Sequence, residues 1–423
     1  MDQAVYVVTD NIAAAGGASE CALAGRGEAA GRQTEEWSAA KRWNPFNSYK
    51  LVAHVERWKH IRRGRPLPPP ALVTVDPANV CNFNCVWCNA EYIRQHRNAS
   101  LSEKTLLDLA DFLPVWGRGR FSGHFGVGAI CVAGGGEPLL NKATAAFVDK
   151  VVAGGIDVGM VTNGSLIYDC MDALSQCTWI GVSVDAGSAA VFNSLKGFGR
   201  DSGMFDKVIN NMALLTDYAR SRHARLGLPH PAYGVSYKFL LHKDNIGEIF
   251  AAARLAKEIG CKNIHFRPAG TPWDKMGTDD EIVFSRDDIA LFQEQIALAR
   301  ELDCENFSVY GVTHKFSGQF EKSNDFCACH ALFMTAVIAP PSGQDKDAFT
   351  LGLCCDRRGD AKLELLADSA DVREIESAWG GPKHWRMHDS INIAAECPRC
   401  TYQPHNQIYE QVILNDSMTY KFI

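Results

Sequence analysis

Between residues 71 and 303, short apolar runs alternate with segments of helical periodicity, and few folds accept that pattern. "ALVTVD" (71–76), "GAICVAG" (128–134), "DVGMVTN" (157–163), "WIGVSVD" (179–185), "AYGVSYKFLL" (232–241) and "KNIHFRP" (262–268) read as strands. Helices are expected at 100–113, 142–154, 166–177, 204–222, 246–260 and 285–303. Ser102 and Lys104 mark the start of the first, and Ser285 is a natural N-cap for the last. Six strand–helix steps in a row call for an α/β architecture. Its parallel sheet would be covered by helices and wholly or partly closed into a barrel. In such folds chemistry gathers at the C-terminal ends of the strands.

A helix is expected before this region, from Ser48 to Arg62, with Leu51, Val52, Val55 and Trp58 on one face. "RPLPPP" (65–70) ends it. The Ala/Gly-rich stretch 11–31 offers little to bury. After Cys304 the alternation stops, and a separate small Cys-rich domain is expected. The domain reading is therefore an N-terminal extension (1–70), a barrel (71–304) and a C-terminal unit (305–423).

The 423 residues carry a net charge of -6 and are 46% hydrophobic. No overall field attracts duplex nucleic acid or an anionic membrane. The basic run "KHIRRGRP" (59–66) reads as a solvated helix end and turn. No apolar stretch reaches the roughly 18 residues of a membrane span. The N-terminus lacks the pattern of a secretory signal, so the expected compartment is cytoplasmic. Fifteen cysteines without such a signal point to metal or redox chemistry rather than disulfides.

Directly after the first strand stands "CNFNCVWC", with Cys81, Cys85 and Cys88 spaced C-x3-C-x2-C. Zinc takes four protein ligands and a redox pair needs two. Three thiolates in one tight loop suit an iron–sulfur cube and leave one iron open. "AGGGEP" (133–138) follows the second strand. There Gly134, Gly135 and Gly136 let the backbone approach a ligand, and Glu137 can accept from an ammonium. "SVDAG" ends the fourth strand, where Asp185 can bond a ribose hydroxyl or cap a helix.

This set resembles the radical S-adenosylmethionine (SAM) superfamily, down to the aromatic Trp87 before the third cysteine. The likeness covers roughly residues 71–403. It implies a partial (β/α)6 TIM-like barrel and a [4Fe-4S] cluster on Cys81, Cys85 and Cys88 whose open iron chelates SAM. It also implies reductive cleavage of SAM to a 5'-deoxyadenosyl radical that abstracts a hydrogen atom from substrate. Gly134, Gly135, Gly136 and Glu137 then hold the SAM amino group. Thr162 and Asn163 of "TNGS" contact the adenosine. Ser183 and Asp185 reach ribose or the methionine carboxylate, and Lys238 the carboxylate. His265 and Arg267 face SAM or substrate, or serve structure.

Six further cysteines lie in "FCACHALF", "LGLCCD" and "ECPRCTY". A zinc ribbon is one reading. The arrangement also resembles SPASM/Twitch extensions, which bind an auxiliary [4Fe-4S] cluster. Cys329, Cys354, Cys397 and Cys400 are the expected ligands, with Cys327 and Cys355 as alternates. Cys131 is expected in the core.

The resemblance leaves the catalytic residues and the reaction outcome open: oxidation, rearrangement, elimination or epimerisation. The expected substrate is a small molecule (sugar, amino acid, nucleoside or natural-product intermediate). The alternatives are a maturase acting on a ribosomally made peptide and a non-catalytic iron–sulfur or zinc protein. A flavodoxin- or ferredoxin-like electron donor is implied. The tail residues Tyr402, His405, Asn406, Gln407 and Tyr409 would either line the barrel mouth or lie on the surface.

Overall fold

The computed structural model describes residues 50, 53–62, 66–121, 125–227, 234–272, 275–312, 316, 326–397 and 400–414. The Ala/Gly-rich stretch, Leu51 and Val52 fall outside them. Among the described residues ten strands form one sheet: β1 (Leu72–Val75), β2 (Ala129–Val132), β3 (Asp157–Thr162), β4 (Trp179–Ser183), β5 (Gly234–Leu241), β6 (Asn263–Pro268), β7 (Ser308–Gly311), β8 (Thr335–Ala339), β9 (Phe349–Gly352) and β10 (Glu364–Ser369). Their order is β10-β9-β8-β1-β2-β3-β4-β5-β6-β7. Strands β1 to β7 run parallel to one another.

The six expected strands are all present, and β7 adds a seventh that its four residues hid. The larger difference lies in the C-terminal segment. Strand β8 pairs parallel with β1, Leu72 opposite Thr335 and Val75 opposite Ile338. Strands β9 and β10 then extend the same sheet in antiparallel fashion. The described residues after 304 thus join the sheet instead of building one of their own. Among the described residues β7 and β10 are its two edges.

Helices α1 (Val55–Arg62), α2 (Glu91–His96), α3 (Glu103–Phe112), α4 (Thr144–Ala153), α5 (Met171–Leu174), α6 (Ala189–Lys196), α7 (Met204–Leu226), α8 (Ile249–Glu258) and α9 (Arg286–Arg300) belong to the region up to β7. Parallel strands covered in this way are apolar on both faces, as Val73, Val75, Ile130, Val132 and Met160 are, all buried. The Ser102 side chain accepts from Thr105 N at the start of α3. Ser285 and Asp288 form a capping box on α9. The helix expected at 166–177 is a 3-10 turn, Ile167–Cys170, followed by the single turn of α5.

In α1, Trp58 and Ile61 are buried whereas Val55 is exposed, so Val55 is not on the apolar face. The face is set by the C-terminal tail, because the Trp58 and Tyr409 rings pack 4.4 Å apart. Helix α6 escapes a periodicity reading because it has only eight residues. Its signals are local: the Ser188 side chain accepts from Val191 N, and Gly197 closes it at φ 77°. Among the described residues no helix is long and apolar enough to cross a membrane.

Candidate active site

The three-cysteine loop leaves the C-terminal end of β1 and is fastened on three sides. Gly136 lies against its backbone, and Gly135 against the Asn79 side chain. A methyl at Gly136 would stand 2.7 Å from Val80 N and 2.5 Å from Val80 C. Glu137 N donates to Val80 O at 2.8 Å. The close approach these glycines permit is therefore to the loop itself. On a second side the loop meets the end of α6, where Asn84 N and Val86 N donate to Lys196 O and Leu195 O, each at 3.1 Å. A Cβ at Gly197 would meet Asn84 O at 2.7 Å.

The third fastening runs to the end of β3. Asn163 Nδ2 donates to Asn82 Oδ1 at 2.8 Å, and Asn82 Nδ2 donates to Ser165 Oγ at 3.0 Å. Asn163 Oδ1 accepts from Ser165 N and Ser165 Oγ. Glu137, 2% exposed, locks the same turn. Its Oε1 accepts from Thr162 Oγ1 at 2.6 Å and Leu139 N at 3.1 Å, and its Oε2 accepts from Asn163 N at 2.7 Å. Burial pushes the Glu137 carboxyl up, and these donors oppose the shift. The structure thus joins Glu137, Thr162 and Asn163 into one unit with the cysteine loop, and the Glu137 carboxylate is spent on holding strand ends together.

Cys81, Cys85 and Cys88 are free and half-buried. Burial pushes the Cys81 and Cys85 thiols up, while Lys196 pulls Cys85 back down. Asp185 is buried at φ 62° and does not cap a helix. Its Oδ2 pairs with Lys196 Nζ, and its Oδ1 accepts from Leu240 N at 2.6 Å. Ser183, the last residue of β4, stands in register with Lys238.

The Lys238 side chain turns away from the strand ends. It crosses Gly181, where a Cβ would meet Lys238 Cγ at 3.1 Å, and brings Nζ within 5.5 Å of the Trp179 ring at the start of β4. Burial, with help from Arg267, lowers Lys238 to about 7. His265 is buried and Arg267 exposed on the neighbouring strand. Cys131 is half-buried rather than a sealed core residue, and burial raises its thiol to about 12.

Sequence reasoning passed over Asn82, Lys196, Asp76 and Arg358. Asp76 Oδ2 pairs with Arg358 Nε at 2.7 Å and ties the end of β1 to the C-terminal segment. Only the position of Asn82 between two cysteines and that of Asp76 at a strand end were readable signals.

The second cysteine set is sorted by the fold. Cys329, Cys354, Cys397 and Cys400 line one small cavity with Phe326, Leu353 and Tyr402. Cys327 is exposed, and Cys355 turns its Sγ to the Tyr402 hydroxyl at 3.5 Å. Burial raises Cys329 to about 12. The tail packs against this region. Asn406 is buried and donates to Cys329 Sγ at 3.8 Å, and Tyr409 is buried against Trp58. His405 stands beside Tyr402, ring centroids 5.8 Å apart, and Gln407 is half-buried. Among the described residues no three His, Cys, Asp or Glu side chains converge as they do on a single metal ion. A cube needs no such convergence, because each thiolate binds a different iron.

Residues 75–233 match the family model described as the Radical SAM superfamily. No curated protein matches the chain in sequence. Among solved structures, Streptococcus suis SuiB bound to precursor peptide SuiA is similar, with a TM-score of 0.55 and 13% identity over 84% of this chain and 75% of that one. SuiB bound to S-adenosylmethionine gives a TM-score of 0.53 at 13% identity, covering 82% and 72%. The anSMEcpe enzyme with bound AdoMet and the Cp18Cys peptide gives 0.51 at 18% identity, covering 79% and 87%. At these identities the likeness is one of fold.

Proposed function

For a chain whose residues 75–233 match the Radical SAM superfamily model, we propose reductive cleavage of SAM followed by hydrogen-atom abstraction from a bound substrate. The observation that carries this reading is the three-cysteine loop at the C-terminal end of β1. It is hydrogen-bonded both to the β3 turn through Asn82 and Asn163 and to the end of α6. Cys81, Cys85 and Cys88 are the soft donors that suit an iron–sulfur cube. Two of them are thiols whose ionisation burial opposes, a cost that binding to iron offsets. The cluster supplies the electron that cleaves SAM, and its open iron the place where SAM is held.

The chain's own contribution is placement. Glu137 fixes the Thr162–Asn163 turn, which puts the backbone of that turn beside the loop. The Gly134–Gly136 backbone and Ser183 are assigned to SAM, with Glu137 acting by holding the turn and Asp185 by pairing with Lys196. Lys238 turns toward the Trp179 ring at the start of β4, away from the strand ends assigned to SAM, and so suits the SAM carboxylate poorly.

The substrate reading moves to a peptide. Its support is the fold shared with SuiB and anSMEcpe, both of which were solved with peptides bound. A small molecule is the second reading. The cavity lined by Cys329, Cys354, Cys397 and Cys400 is assigned to one auxiliary [4Fe-4S] cluster. Four thiolates leave no open iron, so this cluster would serve electron transfer or structure. A zinc ion is the competing occupant, and a flavodoxin- or ferredoxin-like protein is the proposed electron donor.

Anaerobic reconstitution followed by dithionite and SAM tests the reading, with 5'-deoxyadenosine as the expected product. Replacing Cys81, Cys85 and Cys88 together by Ala should abolish one cluster and all SAM cleavage. Cleavage that survives the triple change would sink the assignment. Two cubes are expected by iron count, and zinc in place of the second would overturn the auxiliary assignment.

A further inference from the structure

Lys196 and Asp185 form the ion pair beside the three-cysteine loop, and both are almost fully buried, at 2% and 1% exposed. Neither charge touches bulk water, so neither is screened as a surface pair would be. The pair is aimed at the loop in two ways. Lys196 O accepts from Asn84 N, the residue before Cys85. Lys196 Nζ also stands 5.4 Å from the centre of the Trp87 ring, between Cys85 and Cys88. Asp185 is held by Leu240 N, in a left-handed conformation that non-glycine residues rarely adopt. The Asp185 carboxylate, paired directly with Nζ, holds the ammonium charge in place.

We infer that this buried pair trims the reduction potential of the cluster held by Cys81, Cys85 and Cys88, with Lys196 raising it and Asp185 restraining the rise. The inference rests on the proposed function. A cation beside a cluster stabilises the added electron, and an anion opposes it; net charge near the cluster is one of the levers a protein has on such potentials. Lys196 is the member of the pair that contacts the loop, through its carbonyl on Asn84 N and its Nζ beside the Trp87 ring. The pair as a whole therefore acts as a dipole with its positive end toward the three-cysteine loop.

The test is an anaerobic redox titration, without SAM or substrate, followed by electron paramagnetic resonance. The first cluster's signal is identified by its loss in the Cys81/Cys85/Cys88→Ala protein. Lys196→Met should lower the midpoint by about 60 mV, a tenfold fall in the reduced-to-oxidised ratio for one electron. That direction holds whether Asp185 then stays charged or takes a proton. Lys196→Arg keeps the charge and should stay near wild type. Arg does not give up its proton. Asp185→Asn added to Lys196→Arg should therefore raise the midpoint, and Asn tolerates the left-handed backbone.

A structural role alone would move both changes in one direction. An unchanged or raised midpoint in Lys196→Met overturns the inference, and so does a fall on adding Asp185→Asn. Should Lys196→Met fail to take up iron, the Arg-background pair still decides. Wild-type protein that binds no cluster at the three cysteines overturns the functional reading instead, an iron-count result separate from a midpoint that does not move.

Discussion

Gly136→Ala separates a packing role for "GGGEP" from a loose turn. Gly136 has no positive φ, so the added methyl acts by volume alone. It would sit 2.5 Å from Val80 C and 2.7 Å from Val80 N. An ordinary contact there is roughly 3.5 Å, so the loop must retreat by about an ångström. The atoms in the way are backbone and cannot rotate aside. A retreat of that size also breaks the Glu137 N to Val80 O bond. Overpacking costs about 1–3 kcal/mol and the lost bond about 1. The sum, about 2–4 kcal/mol, makes local opening roughly 30 to 1,000 times more frequent. Amide hydrogen exchange reads this directly. The amides of Asn79, Asn84 and Glu137 should exchange faster by that factor, and iron uptake should fall. Gly199 has nothing within 4 Å of its would-be Cβ, so Gly199→Ala serves as the control. Identical exchange in the two variants would refute the reasoning.

Glu137→Gln replaces an acceptor used at both oxygens by an amide that accepts at one. It should cost about 1–3 kcal/mol, read as a lower denaturant midpoint, and an unchanged midpoint would count against the lock on the β3 turn. Asn82→Ala removes the two side-chain bonds from the cysteine loop to Asn163 and Ser165 and should cost about 1–2 kcal/mol, with iron lost faster to a chelator. Single Ala changes at Cys329, Cys354, Cys397 and Cys400 should each lower iron content, whereas Cys327→Ala and Cys355→Ala should not; the opposite ranking would reassign the ligands. Lys238 is depressed from 10.5 to about 7. Its buried charge therefore destabilises the fold fully below pH 7, and the penalty fades as pH rises towards 10.5. Lys238→Met should gain most stability below pH 7 and little near pH 10; a gain that grows with pH would contradict this.

The parallel strands were legible because each is an apolar run between helices of clear period, and the strand-end motifs followed from that order. Cys329, Cys354, Cys397 and Cys400 line one cavity, a grouping that their spacing along the chain only suggests. Helix α6 was not legible, since eight residues give too few turns for periodicity. With it went Lys196, whose partner Asp185 read as a ribose ligand or a cap. Strand β8 carried an apolar signature, but nothing local reveals that "TAVIA" should pair with β1. Long-range parallel pairing leaves no mark in either strand's own pattern. The bonds of Glu137 were not legible for a similar reason: its partners lie at the end of β3 and in its own turn, and an isolated carboxylate looks available.

The β1–β8 pairing also sets an order of events. When β1 leaves the ribosome, β2 soon covers one of its edges. Its other edge waits about 260 residues for Thr335–Ala339. During that interval the strand carrying the first cysteine loop is itself an unprotected edge, prone to pair with another chain. Closure by β8 is the same event that brings Arg358 to Asp76 and the C-terminal cysteines to their cavity. A chain cut short before residue 335 would therefore keep all three thiols of "CNFNCVWC" yet leave their strand half-paired, a product fit for aggregation rather than for iron.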